Sequence, residues 1–345
     1  MNKYFYKLAF CLLPFVLSYH GITAQDIHFT NFGFSPLNNT PALTGVFNGD
    51  IRGTGNYRQQ WGNYSDLVSY TTFGASGDMK LFKPDADGFN PWRGGIMLNY
   101  DNAGWSHLQN IGIVLAASYG LPITQNDLFT LGVSGGYNQR AFRTSDLTWD
   151  DQYADKQYNS SIVSRDVGIF DQSINYLDLN VGGNIHHQYS DPRGALDVGV
   201  GVFHLNKPTH TFNSTGKIGI DMRYSITATT NVPVSHNFDL LGDVLYQSQG
   251  PHTDFVGGLG ARLYLQNRPT KLFALQVGVA IRPGDAFSPQ VGLLYNNWKV
   301  ALNFDSNFSN FKAASNRLGG PEINVMYIFA KVKPAKYCPL CPITL

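Results

Sequence analysis

The chain has 345 residues, with 25 Lys and Arg against 24 Asp and Glu, for a formal net charge of +1. That balance lacks the basic excess a nucleic-acid partner would want. Charged residues make up 14% of the chain, where an ordinary soluble domain carries about 25%. With 36 Gly, 23 Phe, 19 Tyr and a single Glu, Glu322, this is the composition of strands and turns rather than of Glu- and Lys-rich helices. Three cysteines exclude a dense disulfide scaffold.

The first segment reads as a leader. Lys3 and Lys7 form a basic start, Leu8 to Leu17 an apolar stretch, and Ile22-Thr23-Ala24 a small-residue end. This predicts a signal peptide over 1–24 and a mature chain outside the cytosol. The apolar run is about half the length of a transmembrane helix. Cys11 follows Phe10, where a lipoprotein signal wants a small residue, and it sits within the apolar stretch. Residues 25–50 are a polar, Asn- and Pro-rich lead that also carries Phe29, Phe32, Phe34 and Phe47. Those aromatics argue for an ordered plug or docking segment rather than a loose terminus.

Period-two alternation then recurs along the chain. Leu196, Val198, Val200 and Val202 alternate with Asp197, Gly199 and Gly201. Phe273, Leu275, Val277, Val279 and Ile281 alternate with small or polar residues, and so do Trp298, Val300, Leu302 and Phe304. One face is apolar and the other holds Gly, Ser, Asn, Asp and Arg. The predicted strands are 51–61, 69–82, 92–101, 110–122, 127–143, 174–190, 195–206, 215–230, 234–248, 252–264, 270–283, 286–296, 298–308 and 320–331. They are long for a globular sheet and suit a tilted bilayer crossing of about 9–11 residues. Their number is even. Backbone groups in lipid must all be paired, so the sheet must close. The expectation is an all-β antiparallel transmembrane barrel of about fourteen strands over 51–331, in an outer membrane, with a periplasmic tail over 332–345. A secreted sandwich or propeller would show shorter strands or a blade-length repeat, and neither is evident.

The longest predicted connection, 144–173, falls on the outer side. Aromatics mark strand ends (Tyr57, Trp61, Trp92, Tyr100, Tyr119, Tyr137, Tyr295, Trp298 and Tyr327), as an interfacial girdle would. The connection at 297 is one residue long and too tight, so a strand end there must shift by a residue or two. Arg58 alternates with Tyr57 and Gln59 and is expected to face the lumen, paired with Asp78 or Glu322.

The two ends of the mature chain resemble the PorP/SprF family of outer-membrane proteins. Its members begin with a Gln-Asp and aromatic stretch, an Asn-Pro-Ala-x-x-Gly segment and a first strand with Asn-Tyr-Arg-x-Gln-Trp. Here Pro41, Ala42, Gly45, Asn56, Tyr57, Arg58, Gln60 and Trp61 match. Thr40 replaces the usual Asn, which predicts the loss of one side-chain cap. Asp305 to Ser309, Gly319 to Glu322, Tyr327, and the tail Lys336-Tyr337-Cys338-Pro339 are similar to the family's ending. The resemblance implies a component of type IX secretion or gliding machinery. It would work beside periplasmic ring and lipoprotein subunits and support export or surface retention of large proteins with a C-terminal sorting domain.

The candidate lumen and partner contacts are therefore Pro41, Arg58, Trp61, Trp149, Asp151, Tyr153 and Glu322. The outer loop combines Asp146, Asp150, Asp151 and Asp155 with Trp149, Tyr153, Tyr158 and Phe170. Its Asp spacing lacks a full calcium-loop pattern, so it reads as a solvated acidic loop, and its aromatics suit a protein partner. Cys338 and Cys341 are a possible disulfide but too few for a zinc site. No cofactor, metal, nucleophile-elbow or nucleotide motif appears, so the chain reads as non-enzymatic. The competing functions are a protein-binding accessory barrel, a general porin or small-solute transporter, and a barrel enzyme whose residues come from neighbouring strands.

Overall fold

A computed structural model describes residues 26–61, 69–82, 89–104, 106–143, 147–154, 156–165, 173–212, 218–268, 271–309 and 316–330. The expected leader over 1–24 and the tail over 332–345, with Cys338 and Cys341, lie outside these residues. The strands are β1 (Ile51–Gln60), β2 (Tyr70–Lys80), β3 (Trp92–Ala103), β4 (Leu108–Pro122), β5 (Asp127–Ala141), β6 (Tyr153–Ala154), β7 (Gln157–Tyr158), β8 (Ser173–Gln188), β9 (Ala195–Phe203), β10 (Arg223–Ser235), β11 (Phe238–Gln249), β12 (His252–Arg268), β13 (Lys271–Arg282), β14 (Ala286–Tyr295), β15 (Trp298–Asn307) and β16 (Leu318–Phe329). Strands β6 and β7 form a small hairpin of their own. The other fourteen close into one antiparallel barrel in which each pairs with its chain neighbour and β16 pairs with β1.

The alternation has its expected cause. Leu115, Leu131, Val133, Leu177, Leu179, Val200 and Val277 point outward, while Arg52, Arg58, Asp78, Asn180, Asn184, Asp305 and Asn324 point inward and are buried. An apolar exterior around a polar interior is the arrangement of a barrel in lipid. Aromatic pairs mark both rims: Trp92–Tyr119 (centroids 4.9 Å) and Trp298–Tyr327 (4.6 Å) at one, Trp61–Tyr70 (4.9 Å) at the other.

The connections define a turn rim and a loop rim. The links 123–126, 189–194, 236–237 and 296–297 share the end where β1 starts and β16 ends, and the long links 142–172 and 204–222 lie at the other end. Short turns are periplasmic and long loops external in such barrels, so the turn rim is the periplasmic one.

Several strand boundaries differ from the sequence expectation. A turn expected at 231–233 is instead the continuation of β10, and the chain reverses at His236 and Asn237. Pro233 is tolerated there because the register shifts between Pro233 and Ser235, a bulge where no ladder donor is needed. At the other end of the expected strand, Gly219 forms only an isolated bridge to Thr209. The tight link at 297 resolves as a two-residue turn, Asn296 and Asn297, with Asn296 at φ 51°. Asn tolerates that left-handed conformation, as hairpin turns require.

Candidate functional site

Residues 26–50 lie inside the ring. They descend from the loop rim, where Asp26 meets Gln249 and His204, to the turn rim, where β1 begins. Short turns fold the segment: 3-10 turns over Phe32–Phe34 and Pro41–Leu43 flank a single helical turn, α1 (Pro36–Asn39). Pro36 and Pro41 open the latter two, because their fixed φ suits the first helical position and their missing N–H is not needed there. The cap expected to be lost at position 40 is kept: Thr40 Oγ1 accepts a hydrogen bond from Ala42 N at 3.3 Å. The same hydroxyl donates to the Val200 carbonyl of β9 at 2.8 Å, so Thr40 both caps the turn and ties it to the wall.

Apolar sockets hold the lead across the barrel. Phe32 packs with Leu245, Val256 and Ala280 of β11, β12 and β13. Leu37 packs with Met97, Val114 and Ala116 of β3 and β4 on another wall. Pro41 and Ala42 press on β5 so closely that a Cβ at Gly132 would collide with their backbone, and one at Gly182 of β8 would collide with the Thr40 hydroxyl. Part of the glycine richness of the chain is therefore space for this segment.

Charged groups clamp both of its ends. At the loop side, Arg58 is 2% exposed and Glu322 is 1% exposed. Arg58 Nη2 meets Asp305 Oδ2 at 2.6 Å, its Nη1 donates to the His28 carbonyl at 3.1 Å, and its Nε lies 3.8 Å from Glu322. The carboxylate of Glu322 accepts the backbone N–H of Thr30 at 2.8 Å and of Asn31 at 2.9 Å. Thr30 Oγ1 donates to Asp305 at 3.1 Å and accepts from Arg282 at 3.0 Å. At the turn side, Arg52 makes a two-pronged contact with Asp78 at 2.6 and 3.0 Å and donates to the carbonyls of Leu43 and Val46. Asp78 also accepts the Gly45 N–H at 2.6 Å. Such charge-assisted bonds are the strong ones, and buried charges persist only when satisfied in this way.

The start of the lead is held by a third cluster. His204, just past β9, bridges Asp26 at 2.6 Å and Asp178 at 2.8 Å, while Arg223 Nε lies 3.3 Å from Asp26. Burial works against a charged ring, but Asp26 and Asp178 outweigh it and lift the His204 pKa to about 9. Burial likewise opposes the Asp26 carboxylate, yet His204 and Arg223 hold its pKa well below the usual range. His28 behaves oppositely: burial and the charges of Arg58 and Arg282 push it down to about 4. A cavity of about 20 Å³ between Asp26, His28, Arg223, Gln247, Gln249, His252 and Asp254 has room for roughly one water.

The sequence-selected residues fall into separate places. Arg58 and Glu322 join in the loop-side cluster, where they are also direct register partners across the barrel seam. The expected pairing of Arg58 with Asp78 does not form; Arg58 takes Asp305, and Asp78 takes Arg52, which stands nearer the turn rim on the same face of β1. Pro41 lies on the β5 wall, and Trp61 closes the loop-side end of β1 with its ring edge on Tyr70. Trp149, Asp151 and Tyr153 share the outer loop. There Trp149 N donates to Gln152 Oε1, Asp151 accepts from Arg165 N at 2.9 Å, and Tyr153 is 63% exposed. Among the described residues no group of three His, Cys, Asp or Glu could hold a metal ion. Asp146, Asp155 and Phe170 lie outside them.

Sequence reasoning named no partner for Arg52, Asp305, Arg223, Arg282, Asp26 or His204. A usable signal existed: each charged residue on the inward parity of its strand is a lumen charge in need of a partner. The inward apolar residues Met97, Val114, Leu245 and Val256 broke the expected polar lumen, and they mark the sockets for Leu37 and Phe32.

The family model described as "Type IX secretion system membrane protein PorP/SprF" matches residues 22–327. No curated protein matches the chain. Among solved structures, the chain is similar to the toluene transporter TbuX of Ralstonia pickettii, at 9% identity, covering 85% of this chain and 92% of that one, with a TM-score of 0.49. It is also similar to the CymD monoaromatic hydrocarbon channel (11% identity, 87% and 94% covered, TM-score 0.46) and to the KdgM porin (9%, 80% and 99%, 0.36). Likenesses this distant assign no solute to the chain.

Proposed function

The chain belongs to the PorP/SprF family of type IX secretion system membrane proteins, and from that premise we propose that it acts by binding proteins rather than by conducting solutes. It is an outer-membrane β-barrel. In our reading it supports export or surface attachment of large proteins that carry a C-terminal sorting domain, as part of secretion or gliding machinery. The observation that carries this reading is the lead itself: residues 26–50 cross the lumen and are clamped at both ends by buried ion pairs. A fixed segment across the lumen counts against an open diffusion porin and suits a rigid barrel that presents its two rims to partners.

The partners divide by rim. The outer loop presents Tyr153, Tyr158 and Val163, which are 63%, 50% and 83% exposed, to an exported surface protein. Exposed aromatics of this kind are the anchors protein interfaces favour. The turn rim faces periplasmic ring or lipoprotein subunits. No catalytic step enters this reading. Affinity capture of the barrel from envelopes after gentle detergent extraction tests it. Co-purification of secretion-machine subunits and of a sorting-domain protein is the expected result, and recovery of the barrel alone, under conditions that preserve other envelope complexes, would overturn it.

A further inference from the structure

The turn rim carries a second feature, on its membrane-facing side. On the outward face a row of aromatics runs across four strands: Phe273 of β13 beside Tyr295 of β14 (6.4 Å), Tyr295 paired with Trp298 of β15, and Trp298 against Tyr327 of β16 at 4.6 Å. Such a row marks the level of the membrane–water interface. Below it, toward the bilayer, lie exposed Leu275, Val277, Leu293 and Leu302. Above it, the hairpin of β12 and β13 rises to Arg268 and Lys271, which are direct cross-strand partners. Lys271 shares the outward parity of Phe273 and stands one side-chain repeat, about 7 Å, farther toward the periplasm.

Two like charges directly opposite each other repel and destabilise a hairpin. Among the described residues neither has an acidic partner. The pair therefore wants an anion. Beside it opens a cleft of about 790 Å³ whose lining includes Arg268, Tyr295, Asn296, Trp298 and Tyr327, with Lys271 next to Arg268 outside that lining. Tyr295, Trp298 and Tyr327 of the aromatic row line it, and so does the Asn296–Asn297 turn. Asn296 holds that edge rigid through two bonds to Leu272, one donated by its backbone N–H at 2.8 Å and one accepted by its side chain at 3.0 Å.

We propose that this cleft binds the headgroup of an anionic phospholipid of the periplasmic leaflet. The phosphate sits between Arg268 and Lys271. The glycerol and ester region lies on Tyr295, Trp298 and Tyr327. The acyl chains run down the apolar wall of β13 to β15. The vertical order of the groups is the argument: cations, then aromatics, then aliphatic side chains repeat the order of phosphate, interface and hydrocarbon in a lipid. A soluble anion would use only the first of these three layers. The site rests on the membrane level of the barrel and not on the export reading, so either stands if the other fails.

The test is native mass spectrometry of the purified full barrel in detergent, titrated with phosphatidylglycerol or phosphatidylcholine. Wild type is expected to retain phosphatidylglycerol preferentially. The double variant Arg268→Gln with Lys271→Gln should lose that preference by about tenfold or more, since each basic side chain near a lipid surface contributes on the order of 1 kcal/mol. Its heat-sensitive gel mobility should stay that of a closed barrel. Equal phosphatidylglycerol retention by the double variant would overturn the proposal. So would displacement of the lipid by millimolar inorganic phosphate, which would mark a simple anion site. A second measurement avoids the variant's folding altogether: brominated phosphatidylglycerol should quench the Trp298 component of fluorescence (the part lost in Trp298→Phe) more than brominated phosphatidylcholine, and equal quenching would count against the site.

Discussion

The lumen and the outer loop are built by opposite means. In the lumen, contacts reach as far as 292 positions along the chain: Thr30 to Glu322, Arg58 to Asp305, Asp26 to His204. They form only once the barrel closes, and each buried charge depends on the others. In the outer loop, contacts are local: Trp149 to Gln152, Tyr153 to Lys156, Asp151 to Arg165. Tyr153, Tyr158 and Val163 stay exposed. The lumen holds the lead, and the loop leaves these three side chains free, as the proposed contact with a surface protein requires.

Breaking the lumen should cost far more than altering the loop. Arg58→Ala removes the cation nearest Asp305 and Glu322 and leaves only Arg282, 3.9 Å from Asp305, to offset them; removing one member of a buried ion pair costs about 3–5 kcal/mol. The temperature at which the folded barrel loses its compact gel mobility should fall sharply. Glu322→Gln keeps the volume but removes a charged acceptor from two N–H groups of the lead, for about 2 kcal/mol. Limited proteolysis near residue 30 should then become faster while the barrel stays closed.

Wall packing gives a finer cut. Gly182→Val puts side-chain atoms where the Thr40 hydroxyl sits, an overpacking cost of about 1–3 kcal/mol. The prediction is a lead displaced from the β8 wall, seen as faster hydrogen exchange over 38–44 with little change in the strands.

The His204 clamp gives a pH dependence of definite sign. Its folded pKa, about 9, lies above the ordinary histidine value near 6.5, so its stabilisation is complete below that ordinary value and is lost as pH rises through 9. Asp26 runs the other way: its lowered pKa means its contribution is present above the ordinary carboxylate value and is lost only in strong acid. The first residues of the lead should loosen in alkali, and His204→Gln should remove that transition. A spin label near residue 28 that shows no pH dependence between 7 and 10 would refute it.

At the small end of the range, Tyr153→Ala with Val163→Ser touches only exposed positions and should move barrel stability by no more than about 0.5 kcal/mol. Capture of a surface partner should nevertheless drop. A loss of stability instead would show that the loop is part of the barrel's support.

Much of the wall was legible in the sequence because period two is a local property. Each strand writes its own inward and outward faces, so the barrel, its even count and the lumen position of Arg58 follow from alternation alone. Register is not local. Which carboxylate Arg58 meets depends on the stagger at which β16 closes on β1, and Asp305 comes from β15, one strand beyond that seam. The 236–237 turn was missed for a related reason: Asn231 and Pro233 carry a turn signal, but a bulge absorbs the proline and the ladder continues. The lead was the hardest to read. Its prolines and aromatics announce order, but the sockets for Phe32 and Leu37 are single apolar residues scattered over five strands.

The central claim is that the lead occludes the barrel. Single-channel recording of the purified protein in a planar bilayer tests it most directly. The account predicts no large steady conductance from the intact chain, and a pore of that kind when residues 26–44 are removed from a barrel shown to remain closed. A large, stable conductance from the intact chain would contradict it.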